Sequence, residues 1–218
     1  MSFNDSPSTR YGLYSPIVEA AVRLAARGHY HQFRKRDHGG ETARRPDNPL
    51  PDDHIPYITH LMGTVAILAR LGARDEGLAA AALHDYLEDV PDPDGHERIL
   101  DRTNQDVLDL VRAVTEDKRP GLERGETWQV RKREKLDTVA TMPLEAVLIK
   151  AADTLHNLLS LEIDLADAAD RRAVWNRFNA PEEEQLWYFR STLDAVAERL
   201  GSHPLVTELE GVVHRLGA

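Results

Sequence analysis

Helical periodicity runs through almost the whole chain and leaves no room for a sheet. In "SPIVEAAVRLAARGHY", Ser15 is positioned to cap a helix whose first residue is Pro16, where a missing N–H costs little. Ile17, Ala20, Ala21, Leu24 and Ala25 then fall on one face at helical spacing. A second helix is predicted from Thr59, carrying Leu61, Val65, Leu68 and Leu71 and stopped by Gly72. A third is predicted from Asp75 to Asp89, where "PDPDG" breaks it. Further helices are expected over 95–102, 104–116, 126–141, 143–163, 167–178, 182–200 and 203–216, three of them with Pro143, Pro181 or Pro204 near the first turn. No segment alternates as a strand does, and no internal repeat is present. The expectation is all-α: a single helical bundle spanning 1–218, with C-terminal helices over 167–216.

Two stretches interrupt the pattern. "DHGGETARRPDNPLPDDH" (37–54) is nearly devoid of aliphatic residues, and a connection this long is expected to be an insertion, either a surface loop or a cover for a site. "DKRPGLERGE" (117–126) reads as a charged linker whose basic residues could face an anion. The length of 218 residues suits one well-buried domain. A formal net charge of −10 argues against nucleic-acid binding, which draws its affinity from excess positive charge. It leaves open a small anionic substrate met by local cations or a metal. There is no cysteine, no apolar run of membrane-spanning length and no basic-then-apolar start, so a cytoplasmic, membrane-free protein is expected.

The third predicted helix ends unusually. "LHDYLED" (83–89) sets His84, Asp85, Glu88 and Asp89 at the end of an alanine-rich segment suited to a core. Neighbouring residues project about 100° apart on a helix, so His84 and Asp85 can reach a cation between them, with Glu88 and Asp89 one turn further on. A catalytic divalent metal needs several protein ligands and an open position for water. His60, in "PYITH", and Asp153, in "IKAADTLHN", are the other candidate ligands, both polar interruptions of apolar helices. A buried carboxylate at Asp153 would be costly unless paired, and a metal would resolve that cost.

The order His60, His84-Asp85, Asp153 follows that of the HD-domain phosphohydrolase superfamily. With "HYHQFRK" (29–35), "PYITH" (56–60), "AALHDYLEDV" (81–90), "VTEDK" (114–118) and "IKAADTLHNL" (149–158), the chain resembles the hydrolase domain of RelA/SpoT-type alarmone enzymes and their small stand-alone relatives, including the metazoan SpoT homologue. The likeness covers roughly residues 16–165. It implies an HD-type bundle that holds one divalent metal, commonly manganese, through His60, His84, Asp85 and Asp153. The implied reaction is hydrolysis of the 3′-diphosphate of guanosine tetra- or pentaphosphate to pyrophosphate and GDP or GTP. Glu88 would orient or deprotonate water, and Asp89 would assist proton transfer. Arg34 and Lys35 would neutralise phosphate, and Asn157 would lie near nucleoside or phosphate. Tyr57, Lys150, Arg131 and Lys135 are further candidate substrate contacts, and His156 is a family neighbour of the site.

The chain departs from the pattern in the 37–54 insertion and in Leu61, which replaces a proline after the first histidine. No synthetase domain fits within this length, so a stand-alone hydrolase is implied. Two alternatives stay open: an HD phosphohydrolase for another nucleotide, such as a nucleoside monophosphate or NADPH, and a nucleotide-binding protein without turnover.

Overall fold

The computed structural model describes residues 13–34, 55–116 and 124–217, and Lys35 and the 37–54 insertion lie outside them. The described residues form eleven helices and no strand. They are α1 (Pro16–Gly28), α2 (Ile58–Arg70), α3 (Asp75–Leu83), α4 (Tyr86–Asp89), α5 (Gly95–Arg102), α6 (Gln105–Val114), α7 (Arg124–Val139), α8 (Leu144–Asp167), α9 (Arg171–Trp175), α10 (Glu182–Leu200) and α11 (Pro204–Leu216).

The start of α1 is as expected: the Ser15 hydroxyl accepts from the Val18 N–H at 3.4 Å, with Pro16 at the first position. Gly72, at φ 74°, follows α2 in a left-handed conformation that ends the helix at little cost. The centre of the bundle is α8, which at 24 residues is about 36 Å long and packs against α2, α3, α6, α10 and α11. Alanines explain how α3 enters this core: Ala79, Ala80, Ala81 and Ala82 are fully buried, and their small side chains admit α1, α2 and α6 on several sides.

Three predicted boundaries are corrected. The helix expected over 75–89 is two helices, because α3 ends at Leu83 and α4 is a separate turn. At the break, His84 Nδ1 donates to the Ala81 carbonyl at 2.8 Å, and Asp85 adopts φ −98°, ψ 1°. A side chain thus satisfies one of the carbonyls left over where the helical ladder stops. The α8 helix continues to Asp167 rather than 163, and the helix expected over 167–178 is reduced to α9, capped by Asp170. An isolated bridge between Phe33 and Pro56, with Arg34 N–H donating to Ile55 O at 2.8 Å, ties the two sides of the undescribed stretch together. It delivers Arg34 and Tyr57 to the same place.

Candidate metal centre

Three elements send their polar residues to one buried point. α2 contributes His60, the break after α3 contributes His84 and Asp85, and α8 contributes Asp153 from its middle. Donor atoms of His60, His84 and Asp85 lie within 4.8 Å of one another, and Asp153 Oδ1 joins them beside the two histidines. His60 Nε2 lies 3.2 Å from His84 Nε2, 3.2 Å from Asp153 Oδ1 and 3.7 Å from Asp85 Oδ2. His84 Nε2 lies 3.1 Å from Asp85 Oδ2 and 3.7 Å from Asp153 Oδ1. Both imidazoles are buried, at 2% and 4% exposure.

The donor set fits a divalent cation. The Ala81 carbonyl can only accept, so His84 Nδ1 carries a proton, and once a metal displaces the second ring proton Nε2 turns a bare lone pair inward. His60 Nδ1 lies 3.0 Å from His156 Nδ1 on α8, and with His60 as the donor its Nε2 is likewise bare. Two imidazoles and two carboxylates meeting here need positive charge among them, which a proton on His84 or a divalent cation supplies. Imidazole nitrogen and carboxylate oxygen suit manganese, iron or zinc.

Without a metal, protons take up the role of that charge. Burial disfavours charge on His84, yet Asp85 and Asp153 overcome it and push the imidazole up to about 9. Burial wins at His60, which is lowered. Burial also opposes charge on the two carboxylates, but His84 holds Asp85, and Lys150 with the histidines holds Asp153, well below the usual range. A divalent cation bound among them would replace the His84 proton.

Hydrogen bonds hold the carboxylates in place. The Tyr57 hydroxyl donates to Asp85 Oδ2 at 2.6 Å and reaches Asp89 Oδ2 at 3.4 Å, while the Tyr57 ring stacks on His29 at 5.0 Å. Asn157 Nδ2 donates to Asp153 Oδ1 at 2.7 Å, and Lys150 Nζ donates to Asp153 Oδ2 at 3.2 Å. Arg34 Nη2 in turn donates to Asn157 Oδ1 at 3.0 Å. Tyr57, Lys150 and Asn157, expected as substrate contacts, thus also orient the cage.

A cleft of about 190 Å³ opens from the cage. Glu88 and Asp89 line one side of it, and Lys132, Lys135 and Lys150 bring positive charge. Glu88 Oε2 accepts from the Glu116 N–H at 3.2 Å. Lys135 is buried, donates to Thr115 O at 3.0 Å, and is lowered by burial to about 8. Arg131 is absent from the lining: it pairs with Glu116 and donates through Nε to Thr127 Oγ1 at 3.2 Å, and its neighbour Lys132 faces the cleft. Lys35 cannot be placed, since it lies outside the described residues.

Sequence reasoning passed over His29, Glu116, Lys132 and Tyr188. Glu116 stood in the quoted "VTEDK" and His29 in "HYHQFRK", so both carried a signal. Of the two basic residues expected from this helix, Lys135 lines the cleft and Arg131 does not, and Lys132 between them had not been singled out. Tyr188, on α10, reaches the cleft only through tertiary packing.

An all-α bundle closing on a two-imidazole, two-carboxylate cage defines a candidate metal-dependent class, and comparison with known proteins gives the class a family. A model described as "HD domain" matches residues 41–180. The chain belongs to the HD-domain family. It is 39% identical over 127 residues to the guanosine-3′,5′-bis(diphosphate) 3′-pyrophosphohydrolase MESH1 of Drosophila melanogaster, covering 55% of this chain and 66% of that protein. It is 31% identical over 159 residues to the bifunctional (p)ppGpp synthase/hydrolase SpoT of Escherichia coli K12, covering 71% of this chain and 20% of that protein. The chain thus spans two thirds or less of the length of these curated relatives. A solved structure described as a metazoan ortholog of SpoT that hydrolyses ppGpp superposes with a TM-score of 0.68 at 26% identity, covering 94% of this chain and 97% of that one.

Proposed function

We propose that the chain is a metal-dependent pyrophosphohydrolase that removes the 3′-diphosphate of guanosine tetra- or pentaphosphate, with manganese as its metal. The observation that carries the reading is the cage itself: four donor atoms 3.1–3.7 Å apart along their closest edges, opening into a cleft with two carboxylates and three lysines. Relatives named for that reaction support it.

His60, His84, Asp85 and Asp153 would hold the cation. Bound there, a divalent metal supplies a water of lowered pKa and withdraws charge from a phosphoryl oxygen. Glu88 then orients the attacking water and takes its proton. Asp89, beside the Tyr57 hydroxyl, would pass the proton that Glu88 took from water to the 3′-oxygen as the bond between that oxygen and phosphorus breaks. Lys132 and Lys135 neutralise the diphosphate as point charges, and Arg34 grips a phosphate through its guanidinium fork. The remaining elements of the reading are one folded unit over 1–218, a cytoplasmic setting where nucleotides are met, and no nucleic-acid or membrane partner.

A manganese-supplemented substrate panel with product analysis tests the proposal. Guanosine tetraphosphate should give GDP and pyrophosphate in equal amounts. Orthophosphate from a nucleoside monophosphate, with the tetraphosphate left intact, would replace this reading by a different HD phosphohydrolase.

A further inference from the structure

Glu88 and Asp89 stand on α4, a single turn of four residues that has little stability of its own. What holds it comes from outside the helix. Asp89 O belongs to the last carbonyls of α4, which the turn cannot pair, and Gln32 Nε2 donates to it at 2.7 Å. That turns Gln32 Oε1 toward His29, whose Nδ1 lies 2.7 Å away and therefore carries the proton. The His29 ring stacks on Tyr57 at 5.0 Å and meets Tyr86, the first residue of α4, edge-on at 6.3 Å. Tyr57 closes the circuit: its N–H donates to Gln32 O at 3.0 Å, and its hydroxyl reaches the carboxylates of Asp85 and Asp89. His29 is 2% exposed, yet its Nε2 has no hydrogen-bond partner among the described residues. An unpaired buried nitrogen is costly, so packing alone would favour phenylalanine at this position. The bond from Nδ1 to Gln32 accounts for the histidine.

We propose that Gln32, oriented by His29, is a positioning residue: it fixes α4 through the Asp89 carbonyl and so sets where the Glu88 and Asp89 carboxylates stand beside the cage. This rests on the functional reading above, in which those two acids move the protons. Neither His29 nor Gln32 lines the cleft, so they act through α4 and Tyr57. The metal ligands are anchored separately, His60 on α2, His84 by the Ala81 carbonyl, Asp85 by the Tyr57 hydroxyl and Asp153 on α8. Loss of the brace therefore misplaces the acids and leaves the cation site intact. Proton transfer is steep in distance, and a reacting group displaced by about 1 Å costs up to about a hundredfold in rate.

The test compares the wild type with Gln32→Met and His29→Phe, each close in shape to the residue it replaces, on guanosine 3′,5′-bis(diphosphate) with manganese. In both variants kcat should fall about tenfold to a hundredfold, with KM and the manganese Kd from isothermal titration within about twofold. The double variant should be no slower than the slower single one within about twofold, as for residues that act as one unit. Melting curves give a readout that separates positioning from general support. His29→Phe should melt at the wild-type temperature or above it, because it removes the unpaired nitrogen and keeps the stack. Gln32→Leu replaces the methionine variant if that one does not fold. A kcat within about twofold of the wild type overturns the inference alone. So does a fall in kcat accompanied by weaker manganese binding or, in His29→Phe, by a lower melting temperature. No turnover of the guanosine compound by the wild type overturns the functional reading and the inference with it.

Discussion

His84 works at both ends of one ring. Its Nδ1 closes the last turn of α3 on Ala81, and this fixes Nε2 as the atom that faces the cage. The same division of labour recurs at Asp153, where Oδ1 faces His60 and Oδ2 is held by Lys150. Lys135 offers a pH test at this scale. Burial lowers it to about 8, so it is a cation below that pH and loses its charge above it. If it neutralises the substrate's diphosphate, kcat/KM should fall on the alkaline side of about pH 8. In Lys135→Arg, charged throughout that range, this limb should move beyond about pH 9. An identical limb in both proteins would remove Lys135 from the substrate site. The residues of the cage were readable in the sequence because each is a polar interruption of an apolar helix. The roles of Tyr57, Lys150 and Asn157 in holding the ligands were not, since those depend on distances across the bundle.

Elements matter through how closely α2 and α8 approach. A methyl group added at Gly63 would overlap the imidazole of His156, the partner of His60 Nδ1. Gly63→Ala should therefore displace His156, weaken manganese binding about tenfold and cost about 1–3 kcal/mol as an overpacked contact. Isothermal titration with manganese and a thermal melt check both; unaltered affinity would show that His156 does not orient His60. Helix existence was legible from apolar spacing, as the match of α1, α5, α6, α10 and α11 to their expected spans shows. The end of α3 was not, because a side-chain bond from His84 and the backbone of Asp85 terminate it, and neither has a local sequence signature. Which basic residues of α7 face the cleft was not legible either, because a helix rich in charge carries little apolar periodicity to set its rotation.

At the scale of the molecule, the bundle brings together residues 93 positions apart in sequence, His60 and Asp153, and encloses them with little exposure. Such burial of four groups that repel without positive charge is the central physical claim: the fold is built to hold one divalent cation. Linkage makes the claim visible in stability, since a ligand at a hundredfold excess over its Kd adds about 2.7 kcal/mol to a folded protein. The 37–54 stretch, the largest departure from the family pattern, lies outside the described residues and has no part in the claim. The direct measurement is manganese stoichiometry by equilibrium dialysis and elemental analysis, on metal-stripped wild type and on Asp85→Ala. The expected result is one manganese per wild-type chain and close to none in a folded Asp85→Ala. Equal occupancy in the two proteins, or none in the wild type, would contradict the account.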